Sequence, residues 1–150
     1  MKAFPYVVAA VFVLVLAWLG TVFSGVRFIV YVDAASLILV LGLALVMLRA
    51  GWSFRAMGAQ FRNALDDQAD KPALEEAILF FTSARRYLAL AAGFAVFIGI
   101  IAILTHLTDR SKLGPNLAIA LISAFYAIIL TVAVCVPLET AARLRLVRKQ

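Results

Sequence analysis

Four long stretches of this chain are too apolar to fold with water as their solvent, and this constrains the architecture more than any other feature. The first, Phe4 to Phe23, carries no charged side chain. The second, about residues 28–48, has one acid, Asp33, close to its start; the third covers about 87–107 and the fourth about 114–138. A helix crosses the hydrocarbon core of a bilayer with about 20 apolar residues, so each stretch predicts one crossing. Composition agrees, because 65% of the 150 residues are hydrophobic and 15% charged, whereas roughly half of a soluble domain is apolar. The expected fold is an all-α membrane protein with four transmembrane helices in a single domain, 1–150. A cleaved leader does not suit the first stretch: its apolar run is longer than usual, only Lys2 precedes it, and no small-residue cleavage pattern follows.

Charge sets the expected orientation, because cytoplasmic connections carry the excess of Lys and Arg. Lys2, the connection 49–86 (Arg49, Arg55, Arg62, Lys71, Arg85, Arg86) and the tail (Arg143, Arg145, Arg148, Lys149) hold eleven of the 14 basic residues. Arg27, Arg110 and Lys112 hold the other three. Both termini and the connection are therefore expected inside. The net charge of +6 flanks apolar spans, where it reports topology and anionic headgroups, not nucleic-acid binding. The one cysteine, Cys135, lies in an apolar run, which excludes an intramolecular disulfide and a CxxC motif.

Within the connection, Trp52, Phe54, Met57, Phe61 and Leu65 recur at near-helical spacing among basic and polar residues. That pattern predicts a short cytoplasmic helix lying along the inner membrane surface. After the polar residues 66–71, Pro72 suits the first turn of a new helix, with Asp70 as its cap and Glu75 and Glu76 near its positive end. This helix is expected to run into the third span without a break. Gly114-Pro115 is expected to open the fourth.

Catalytic chemistry has no foothold here. No Ser/His/Asp or Cys/His set, paired carboxylates, HExxH or phosphate-binding glycine loop can be assembled, so no enzyme activity, cofactor or metal is expected. His106 falls at the outer end of the third span and reads as an interfacial side chain. Ion-coupled carriers keep an ionisable group inside the membrane, yet Asp33 falls near the outer boundary and Glu139 near the inner one. This also weighs against a small multidrug exporter. Helices in lipid approach through small residues, and at 100° per residue Ala92, Ala95, Gly99 and Ala102 share one side of the third helix. On the fourth, Asn116, Ala120, Ser123, Ala127 and Thr131 share a face opposite Leu121, Phe125, Ile128, Ile129, Val132 and Val136. Packing within the chain accounts for such faces; lining a narrow path or receiving another helix is the functional alternative.

Three strings carry a resemblance. Tyr31-Val-Asp-Ala-Ala-Ser-Leu-Ile-Leu-Val-Leu-Gly42 resembles the opening of the second span of MotA-type flagellar stator subunits. Gly99-Ile-Ile-Ala-Ile-Leu-Thr-His-Leu-Thr-Asp109, followed by Leu113-Gly-Pro-Asn-Leu-Ala-Ile-Ala-Leu-Ile-Ser-Ala-Phe-Tyr126, looks like the third-span exit and fourth-span entry of that family. Val136-Pro137-Leu138 matches a proline near the inner end of the family's fourth helix, a candidate hinge. The likeness covers roughly two-thirds of the chain, and the four spans suit the MotA branch of the MotA/TolQ/ExbB proton-channel family better than its three-span members.

The resemblance implies a homopentameric ring in the bacterial inner membrane around a dimer of a single-span MotB/ExbD/TolR-like protein, whose membrane aspartate carries the proton or sodium ion. It implies an ion path along Ser123, Ala127, Thr131, Asn116, Ala95 and Gly99, with Asp33 at the outer ion entry or in a structural role. Ser123 stands where the family has the first of two adjacent threonines and retains a hydroxyl there, and Ala124 replaces the second. Ala95 and Val96 stand for a usual Gly-Thr pair, and Ala127 for a glycine. A ring that keeps this architecture without conducting is the alternative. The connection 49–86 is well under half the family's torque-bearing domain, leaving Arg62, Asp66, Glu75 and Glu76 as possible rotor contacts.

Overall fold

The computed structural model describes residues 4–25, 27–107 and 109–149, and every described element is helical. In chain order these are α1 (Phe4–Phe23), a 3₁₀ turn (Phe28–Tyr31), α2 (Ala34–Gly51), α3 (Phe54–Leu65), α4 (Lys71–Thr105), α5 (Arg110–Leu130), a π turn (Thr131–Cys135) and α6 (Val136–Arg148). Four helical rods are long and apolar enough to cross a membrane: Pro5–Phe23, Ile29–Gly51, Lys71–Thr105 and Ser111–Arg148. The chain is a multi-pass, all-helical membrane protein, as the four apolar stretches predict.

α4 is the organising element, packing against α2, α3, α5 and α6. Its buried positions Leu74, Ala77, Phe81, Ala84, Leu88, Ala91 and Ala95 alternate steps of three and four residues, the repeat that keeps one seam of a helix facing its neighbours. At its charged end the core is aromatic. Phe80 and Phe81 meet edge to face with centroids 5.1 Å apart, and Trp52 and Phe61 close over them at 5.4 and 5.2 Å, a favoured ring geometry. Toward the other end the core narrows to alanine and glycine.

Several expectations about helix ends hold. The Asp70 carboxylate accepts from the Ala73 N–H at 3.1 Å and Pro72 occupies the first turn of α4. α4 then runs 35 residues without interruption. Two boundaries differ from expectation. The second span is not one helix from residue 28: the 3₁₀ turn ends at Tyr31, and α2 starts at Ala34 because the Asp33 side chain caps it, accepting from the Ser36 N–H at 2.7 Å. The fourth helix opens at Arg110, not at Gly114-Pro115, because Asp109 accepts from the Ser111 N–H and hydroxyl at 3.1 and 2.5 Å. Pro115 is carried inside α5.

That fourth rod also continues past Leu138 to Arg148. A proline inside a helix lacks its N–H and its ring crowds the carbonyl four residues earlier. Ahead of Pro137 the chain widens into the π turn, with the Val136 N–H reaching back to the Thr131 carbonyl, so the rod passes the proline unbroken.

α3 forms where the aromatic spacing places it, but Met57, Gln60 and Ala64 turn inward and are buried against the chain. Phe54 remains exposed. Arg145 of α6 fastens the end of this helix. Its guanidinium is buried and donates to the Ala64 and Leu65 carbonyls at 2.5 and 3.0 Å and to Asp67 at 2.9 Å, while the Lys149 ammonium donates to the Ala69 carbonyl. The bonds to Ala64 and Leu65 satisfy carbonyls that the helix end leaves open.

Candidate functional site

The small-residue faces of α4 and α5 meet each other. Gly99 lies so close to α5 that a Cβ built on it would stand 2.6 Å from the Ala120 Cβ and 3.2 Å from its Cα. Only glycine permits that approach. Ala92, Ala95, Ala120, Ser123 and Ala127 are all buried, so four of the predicted path residues, Ser123, Ala127, Ala95 and Gly99, sit in packing within one chain.

Ser123 is 1% exposed, and its hydroxyl donates to the Ile119 carbonyl one turn earlier at 3.1 Å. The Ser36 hydroxyl of α2 donates to the same carbonyl at 3.3 Å. One oxygen thus receives two hydroxyls and joins α2 to α5. Asn116 and Thr131 are half-buried at either end of the face.

The start of α2 is pinned by a residue whose role its sequence position does not reveal. The Tyr126 hydroxyl donates to the Tyr31 carbonyl at 2.6 Å and accepts from the Asp33 N–H at 2.8 Å. It holds the short extended link before α2, where these backbone groups lack helical partners. Asp33 contributes its backbone to this clasp and its carboxylate to the helix cap, a structural role. Just outside the next helix, the hydrogen bond from Ser111 holds the Asp109 carboxyl below its ordinary range, with burial acting against it.

At the opposite end α4 and α6 share a charged cluster. Glu139 is 6% exposed; one carboxylate oxygen accepts from Arg143 Nε and Nη2 at 3.0 and 2.8 Å. The other lies 3.8 Å from Arg85 Nη1 and accepts no hydrogen bond among the described residues, and neither does the buried Thr82 hydroxyl find a partner there. A groove of about 360 Å³ runs from Arg85 past Ala89, Ala92, Ala124 and Ala127 to Ile128, Thr131 and Val132. The Arg143 pair lies within one turn of α6, but the approach of Arg85 needs the crossing of α4 and α6, which the sequence alone does not reveal.

Pro137 is the second residue of α6, separated from the π turn by one residue. Arg62, Asp66, Glu75 and Glu76 are all exposed and take part in no ion pair with the described residues. Among the described residues no three His, Cys, Asp or Glu side chains gather as a metal site would require. Compared with protein families, with characterised proteins and with solved structures, the chain matches none.

Proposed function

We propose that this protein is a ring-forming subunit of an ion-driven motor complex in the bacterial inner membrane, with both termini inside. α4 and α5 turn toward a dimer of a single-span partner. The observation that carries the reading is the distribution of charge along the spans. Asp33 and Glu139 stand at opposite ends of the spanning region, and the apolar stretches between them hold no carboxylate. Since a membrane carboxylate is kept only for a task, the partner supplies the ion carrier and this chain supplies the wall.

The test is stoichiometry. Purified from membranes in mild detergent with its neighbouring single-span protein, the chain should elute as a homo-oligomer, five copies around two. A stable monomer with no partner sinks the proposal.

The non-conducting scaffold has a specific observation in its favour. The Ser123 hydroxyl is enclosed and already bonded to Ile119, while Val96 and Ala124 offer no hydroxyl. Ion flux into vesicles holding both subunits separates the readings. A conducting ring should lose flux in Ser123→Ala and keep it in Thr105→Val, whereas a scaffold shows none in any form. Alanine is the right replacement, because valine would overfill a buried seam.

A further inference from the structure

We infer that the inner end of the α4–α5 groove binds an anionic phospholipid, with Arg85 on the phosphate and one acyl chain in the groove. The site is complete within one chain and stands whether or not a ring forms.

Charge comes first. Arg85 and Arg143 flank a single carboxylate, Glu139, so the cluster carries one net positive charge. Glu139 is spent on Arg143, whose two nitrogens take one oxygen. Arg85 stands 3.8 Å from the other oxygen without a hydrogen bond, and its side chain is 46% exposed. It is a guanidinium oriented by an ion pair yet with its donors unspent, the condition in which arginine receives a planar oxyanion. Arg85 and Arg86 are also the last charges before the apolar part of α4, the level at which headgroup phosphates lie.

Shape comes second. Beyond Arg85 the groove walls are Ala89, Ala92 and Ala124, with nothing charged. From Ala124 to Thr131 it extends about 10 Å at the helical rise, and its 360 Å³ leave room for a stretch of extended hydrocarbon chain along the alanine walls.

The experiment uses the full chain in neutral detergent, stripped of lipid and given equal amounts of phosphatidylglycerol and phosphatidylcholine with the same acyl chains. Retained lipid is read by native mass spectrometry. Phosphatidylglycerol should be retained preferentially, and Arg85→Gln should lower its retention about fivefold, the effect of one cation near an anionic headgroup. Lys112→Gln, which removes the same charge at the other end, should change nothing. Ala124→Phe, filling the groove, should lower retention while Arg85 stays in place, which keeps the test informative if Arg85→Gln fails to fold. Equal retention of the two lipids, or equal behaviour of the Arg85 and Lys112 variants, overturns the inference. So does an Ile128→Cys variant that crosslinks to a second polypeptide in membranes while no lipid is retained.

Discussion

α1 and the α4–α5 pair are about equally apolar, yet they are packed to very different degrees. Mean hydropathy over the most apolar window is 2.5 for the first rod, 2.6 for the rod containing α4 and 2.7 for that containing α5. The buried share of those windows is 6%, 28% and 28%. Thr21 is the one buried residue among the described residues of α1. Apolarity sends a helix into lipid but gives it no reason to prefer a neighbouring helix over acyl chains; close approach through small side chains does. α1 is rich in Val, Leu and Phe along its exposed surface, whereas α4 and α5 present glycine, alanine and serine to each other.

The largest effect that could break this contrast is expected at Gly99. Gly99→Leu would drive a branched side chain against the Ala120 backbone, costing about 3 kcal/mol and lowering the unfolding temperature in detergent. An unchanged melting temperature would mean that the seam is not closed. Next comes Tyr126→Phe, which leaves the Asp33 N–H and Tyr31 carbonyl without their partner, at about 1 kcal/mol. Hydrogen exchange should accelerate around Tyr31–Asp33 while α1 is unaffected. Smaller again is an acid effect. Because hydrogen bonding in the folded chain holds the Asp109 carboxyl below its ordinary value, its contribution is present above the unfolded pKa and fades as pH falls through the folded one. Asp109→Asn should flatten that acid limb in a pH series of melting curves. The smallest effect belongs to α1. No atom lies within 4 Å of a Cβ built on Gly20, so Gly20→Ala should leave stability unchanged or raise it by up to about 1 kcal/mol through helix propensity.

Legibility followed the range of the interaction that made each feature. Asp70 with Pro72, and the small faces at Ala92–Gly99 and Asn116–Thr131, could be read because caps and helical faces depend on residues within a turn or two. The two misplaced boundaries, at Asp33 and Asp109, were also local. There the aspartate's preference for capping outweighed the apolar run and the Gly-Pro signal that suggested other starts. The Tyr126 clasp, the shared Ile119 carbonyl and the approach of Arg85 to Glu139 could not be read, since each joins groups far apart in the chain.

The sequence by itself determined that four helices are long and apolar enough to cross a membrane, where α4 starts, and which sides of the last two could approach another helix. These follow from transfer free energy and helical periodicity, which are properties of short windows. Only the tertiary structure decided that the small faces close on each other, that the Ser123 hydroxyl is spent inside that seam, and that Arg85 is held beside Glu139 at the edge of a groove. Such pairings depend on how helices cross, and crossing is fixed by the shapes of whole faces in contact, not by any one stretch of chain.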